Sequence, residues 1–180
     1  MDYLVPVNSK EDIFPEYRNT PVGKLLEYHN LGASFDDYDH AELLIGMCMD
    51  YRKSLHIPEN FAYVLRTGGG NLKPIEFKVS YAIAVGNVKA LVLIGHNNCG
   101  MSNLSSKKEK FVNGLVDRAG WEREMAEQHF DNFAPFFEIG NEIDFVLSEA
   151  KRLRLRYPKI PVVPMFYVLE DNRLYLMKEK

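Results

Sequence analysis

Ala90-Leu91-Val92-Leu93-Ile94-Gly95-His96-Asn97-Asn98-Cys99-Gly100 is the stretch on which the fold turns. Five consecutive apolar residues, too few for a helix and rich in branched side chains, predict a buried strand over 90–94. The change at Gly95-His96 ends it in a loop that carries an imidazole and a thiol. Two other segments repeat the pattern: 43–47 runs into Cys48-Met49-Asp50-Tyr51-Arg52, and 61–65 runs into Arg66-Thr67-Gly68-Gly69-Gly70. Between the second and third, Ile75, Val79, Ala82, Ile83 and Gly86 recur at helical spacing behind Pro74, so a helix is predicted over 74–86 with the proline in its first turn. Strand, helix, strand is the unit of a parallel sheet, and the fold class is α/β: a central, mainly parallel β-sheet flanked by helices.

Working outward, Ile143, Val146, Leu147, Ala150 and Leu153 share one face of a helix predicted over 142–157. A strand follows over 161–169, and Asp171-Asn172 marks a tight turn into 173–177. A helix is also predicted over 21–31, and 105–137 reads as helical with a break near Gly120. The latter is dense in Trp121, Met125, Phe130, Phe133, Phe136 and Phe137, which serve either a core or a surface buried against a second subunit. With 180 residues and 46% hydrophobic content, one domain spanning 1–180 is expected, with 1–35 as an N-terminal helical arm.

A net charge of −3 leaves no electrostatic footprint for nucleic acid. The basic run Lys151, Arg152, Arg154, Arg156, Lys159 suits the end of a helix, where cations complement the dipole. Neither a signal-peptide core nor an apolar run of membrane-spanning length is present, so a cytoplasmic protein without membrane partners is expected, acting on a small molecule.

Both cysteines and one of the five histidines fall in the two clusters that end strands. Cys48, His96 and Cys99 are the inventory of an open zinc site, since three thiolate and imidazole ligands leave one tetrahedral position for water or substrate. His96 and Cys99, three residues apart, can face one side of a turn, and Cys48 comes from a neighbouring strand end. The plainer reading makes each cysteine an inert small hydrophobe and the histidine a satisfied polar residue, and a Cys48–Cys99 disulfide is a third. Asp50 and Arg52 lie on the same side of an extended segment and can pair. Two residues from a ligand, the Asp50 carboxylate is able either to close the site as a fourth ligand or to accept a hydrogen bond from water there, with Arg52 selecting between the two. Gly68-Gly69-Gly70 fits no nucleotide fingerprint and reads as close backbone approach beside a crowded site.

Taken in order, Cys48-Met49-Asp50-Tyr51-Arg52, Arg66-Thr67-Gly68-Gly69, Ser80-Tyr81-Ala82 and His96-Asn97-Asn98-Cys99-Gly100 resemble the β-class carbonic anhydrases, most closely over 43–101 and more loosely over 141–176. The resemblance implies Zn²⁺ held by Cys48, His96 and Cys99, with Asp50 and Arg52 as a catalytic dyad. It implies reversible hydration of CO₂ to bicarbonate by water activated on zinc. It also implies a homodimer or higher homo-oligomer with sites near the subunit interface. Asn98 stands where many members have Asp, Gly or another small residue. Relatives that hydrolyse COS or CS₂ use the same zinc framework, so a zinc hydrolase of those substrates is one rival, and a non-catalytic zinc-binding or thiol redox protein is the other. None of His29, His40, His56 and His129 is marked by its sequence context as a proton shuttle.

Overall fold

The computed structural model of the chain describes residues 3–179. Six strands form one sheet: β1 (Leu4–Pro6), β2 (Leu43–Cys48), β3 (Ala62–Thr67), β4 (Ala90–His96), β5 (Val162–Val168) and β6 (Arg173–Met177), in the spatial order β1-β6-β5-β4-β2-β3. β3, β2, β4 and β5 are mutually parallel, and β6 and β1 join antiparallel at one side. Five helices accompany them: α1 (Pro21–Leu31), α2 (Glu76–Ala84), α3 (Lys108–Ala119), α4 (Arg123–Phe137) and α5 (Glu142–Arg156). The mainly parallel α/β architecture expected from the sequence is the one observed.

Alternation along the buried strands sorts the core into two layers. Leu43, Ile45 and Met47 of β2, with Val92 and Ile94 of β4, face α1, whose Leu25, Leu26 and Tyr28 are fully buried against them. Leu44, Leu91 and Leu93 face the opposite way and meet Val79 and Ala82 of α2 and Val146, Ala150 and Leu153 of α5. Helix α1 thus packs on this chain's own sheet. Thr20 caps its N-terminus, Pro21 opens it, and Gly32 ends it at φ 65, a left-handed conformation that glycine adopts without Cβ strain.

Three differences from the sequence reading have physical reasons. The ladder of β4 with β5 continues to His96↔Tyr167, and that of β2 with β3 to Cys48↔Thr67, so both site residues close their strands rather than standing in the loops beyond. Pro74 lies in a separate 3₁₀ turn, Lys73–Ile75, because Ile75 at φ −120 breaks the helical path before α2 begins. β1 carries no periodic signal: three residues ending in proline hold only an edge, paired to β6 at Leu4↔Met177.

The connection from β2 leads to one side of the sheet, to β3, and that from β4 to the other, to β5. Their carboxyl ends therefore diverge and open a crevice, where ligands of open α/β sheets bind.

Candidate metal centre

Cys48 ends β2, His96 ends the adjacent β4, and Cys99 lies on the turn that follows. Their ligand atoms all fall within 4.8 Å of one another, and the three side chains are buried. The two sulfurs are 3.9 Å apart and unbonded. The His96 Nδ1 is 2.9 Å from the Asn97 carbonyl oxygen, which can only accept, so Nδ1 carries the proton and Nε2 presents a lone pair. Nε2 is buried with no hydrogen-bond partner, an arrangement that costs free energy unless something outside the chain uses the lone pair. Two sulfurs and an unpartnered imidazole nitrogen converging in this way can hold a metal ion, and among the described residues this is the one such cluster of His, Cys, Asp or Glu.

The sulfurs titrate as a pair. A proton shared from Cys99 to Cys48, with help from the Asp50 backbone and the Lys53 ammonium, holds Cys48 far below an ordinary thiol, and the same contact with burial pushes Cys99 up.

Asp50 and Arg52 stand beside the cluster and do pair. The Arg52 Nε lies 2.9 Å from Asp50 Oδ1 and its terminal nitrogen 2.6 Å from Oδ2, a two-pronged contact, and the Arg52 backbone N–H donates to Oδ1 at 3.0 Å. These bonds drive the carboxyl well below the usual carboxylate range. Arg52 also donates to the Asn98 carbonyl at 2.9 Å, which ties the two loops together; Asn98 itself sits at φ 54, a conformation that asparagine tolerates. Asp50 Oδ2 remains 4.0 Å from His96 Nε2, close enough to reach the centre and held back from it by the guanidinium.

Further residues shape the site without a motif to announce them. Lys53 is 2% exposed, and its ammonium donates to the Cys48 carbonyl at 3.3 Å; burial lowers its pKa, while the charges of Cys48 and Asp50 oppose that. No carboxylate forms an ion pair with it among the described residues, and the charges that favour its ammonium are those of Cys48, Asp50 and Cys99. Arg66 donates to the Cys48, Asp50 and Lys53 carbonyls and fastens the whole Cys48–Lys53 turn. The Glu142 carboxylate, in the first turn of α5, accepts from the Cys99 backbone N–H at 3.1 Å. Its sequence signal was that of an acidic residue at a helix start, which named the helix but not the contact.

Gly68-Gly69-Gly70 packs as expected of a close approach: a Cβ on Gly68 would meet Met101 and Phe137 at 3.1 Å, and one on Gly69 would lie 2.5 Å from Ile139. Beside this turn an apolar cavity of about 270 Å³ is lined by Met49, Met101, Leu104, Phe130, Phe133 and Phe137 among others. Met49 follows Cys48 and Met101 packs against the apolar cluster that Cys48 and Cys99 form with Ile139, so the cavity flanks the cysteines. His129 lies on its wall among Phe111, Trp121 and Phe133, whereas the His29 ring accepts the His56 backbone N–H and packs on Tyr167. No helix is long and apolar enough to cross a membrane.

No family model and no curated protein sequence matches the chain. Solved structures do. The β-carbonic anhydrase isoform I of Trichomonas vaginalis superposes with a TM-score of 0.63 at 17% identity, covering 83% of this chain and 91% of that one. The carbonic anhydrase of Glaciozyma antarctica gives 0.61 at 19%, covering 93% and 96%. A carbon disulfide hydrolase in its apo form gives 0.56 at 19%, covering 78% and 80%. At these identities the likeness is one of architecture: the chain has the fold of the β-carbonic anhydrases.

Proposed function

We propose that this chain is a zinc enzyme that interconverts CO₂ and bicarbonate, with Cys48, His96 and Cys99 as the ligands and Asp50 and Arg52 as the working pair. The observation that carries the reading is the placement of Asp50: an ionised carboxylate 4.0 Å from the unpartnered His96 nitrogen, withheld from the centre by a two-pronged arginine. A closed structural metal site has no use for such a carboxylate, whereas an open one does. The mixed sulfur and nitrogen donor set suits zinc, which when bound supplies the Lewis acidity that makes water nucleophilic near neutral pH.

The chain's own residues provide the rest. Asp50 accepts a hydrogen bond from the attacking water and orients it, and Arg52 keeps the acceptor ionised and in place. The Met49 and Met101 side chains present an apolar wall next to the centre, which admits a small uncharged molecule and disfavours its charged product. The same wall, sulfur-rich and larger than CO₂ requires, is also suited to COS or CS₂, and a carbon disulfide hydrolase shares the fold. We further propose that the active form is a homodimer or higher homo-oligomer.

Stopped-flow CO₂ hydration measured beside sulfide release from COS and CS₂, on protein with its zinc content determined, tests the assignment. Fast CO₂ turnover is expected; sulfide release without it transfers the reading to the hydrolase, and neither activity in zinc-loaded protein overturns both.

A further inference from the structure

The His96 ring is aimed by a bond to a main-chain carbonyl, and what fixes that carbonyl is the side chain of the same residue, Asn97. Its Oδ1 accepts the backbone N–H of Leu169 at 2.9 Å, and its Nδ2 donates to both carboxylate oxygens of Glu170 at 2.8 Å. Leu169 and Glu170 lie in the turn between β5 and β6, some seventy residues further along the chain. One asparagine therefore clamps the strand end that carries the imidazole to the neighbouring hairpin. The Glu170 contact is at the surface and contributes little alone, whereas the Leu169 contact is partly buried and satisfies a main-chain donor at a hairpin turn.

We propose that Asn97 is a positioning residue, whose clamp onto the β5–β6 turn holds the His96 ring in its Nδ1–H tautomer with Nε2 turned to the two sulfurs. Nothing else among the described residues bonds to the imidazole. Once the Asn97 carbonyl is free to rotate, the ring loses the acceptor that selects the tautomer, and Nε2–H, which cannot ligate, becomes populated. Outer partners that orient a metal-bound histidine in this way are typically worth about 10–100-fold in metal affinity. The zinc arm of the test rests on the function proposed above; the tautomer arm does not.

The test uses ¹⁵N-histidine-labelled, metal-free protein at about pH 8, where long-range ¹H–¹⁵N spectra distinguish the two tautomers, together with zinc affinity by chelator competition. Wild type should show His96 as Nδ1–H, and Asn97→Ala should mix the tautomers and weaken zinc binding within the range above. Asn97→Asp, which sets two carboxylates against each other, should lose affinity too. Asn97→Asp combined with Glu170→Gln reverses donor and acceptor, restores the bridge, and should recover most of the affinity and the single tautomer. If Asn97→Ala lowers thermal stability but leaves tautomer and affinity unchanged, Asn97 is only a brace and the proposal falls; failure of the double variant to recover either quantity also counts against it. Should wild type bind no zinc, the proposed function fails, and the tautomer comparison still decides the role of Asn97.

Discussion

At the scale of single residues, the centre works through what each charge is prevented from doing. On the proposed function Arg52 keeps Asp50 from closing the site, so Arg52→Ala should leave a carboxylate free to become the fourth ligand, visible as a changed visible spectrum in cobalt-substituted protein with turnover lost. Asp50→Asn keeps the shape but removes the anionic acceptor; zinc content should stay near one per chain while turnover falls by about 100-fold or more, the ordinary range for a positioned base. Normal turnover in Asp50→Asn would make the carboxylate structural. His29, outside the cluster itself, supplies a pH effect of its own. Burial lowers its pKa from 6.5 to about 4. Between those values the unfolded chain holds a proton there that the folded chain does not, so stability is complete above about pH 6.5 and declines as pH falls towards 4, by on the order of 3 kcal/mol. Denaturation curves of His29→Gln should show a flatter dependence over that window; an unchanged slope would place the acid sensitivity elsewhere. The candidates Cys48, His96, Cys99, Asp50 and Arg52, which the structure brings together, were legible because they sit in two short motifs at strand ends. Lys53, Asn97 and Glu142 were not legible as site residues, because their roles depend on contacts to main chain and on partners in distant elements.

Among the elements, the packing of α5 on β4 sets how firmly the histidine end of the sheet is held. Gly95 precedes His96 and lets Val146 of α5 approach, such that a Cβ there would lie 2.4 Å from Val146 Cγ2 and 3.3 Å from the Phe166 ring. Gly95→Ala should therefore cost about 1–3 kcal/mol through overpacking and shift His96, with part of the loss recovered by Val146→Ala. Gly114 is the contrast: it lies within α3 with open space around its missing Cβ, so Gly114→Ala should stabilise by about 0.5–1 kcal/mol. Wild-type stability in Gly95→Ala, read by urea denaturation, would refute the packing argument. Helices and the central strands were legible because their apolar patterns are strong, down to the break at Gly120, which adopts φ 70, whereas β3, read as buried, is an outer strand with Tyr63 and Val64 exposed. The 3₁₀ turn at Pro74 and the short β1 were not, since a turn that precedes a helix shares its proline signal and an edge of three residues has no period.

For the whole molecule, the question is which apolar surface remains after the chain has packed on itself. Leu25, Leu26 and Tyr28 of α1 are consumed by this chain's own sheet and are not part of it. What is left lies elsewhere. Phe77, 81% exposed, joins Tyr81, Val85, Tyr63 and Val64 around α2 and β3, and Met125, Phe133 and Phe136 stand out from α4. β3 is also an outer strand of the sheet, paired only to β2, so one row of its main-chain donors and acceptors has no ladder partner. An unblunted edge flanked by exposed aromatic side chains favours association, and a second copy of the chain is always at hand. The expectation is a dimer, or a multiple of one, in which stable burial of roughly 2,000 Å² or more covers these residues. Light scattering at low micromolar concentration should then give at least twice the 20.8 kDa chain mass. Val64→Lys, a charge placed on the free edge, should reduce the mass without unfolding the monomer, because the side chain already reaches solvent. A folded, zinc-loaded and active wild-type monomer would show that the exposed aromatic rows serve no subunit contact, and an undiminished mass in Val64→Lys would move the interface from β3 to the α4 surface.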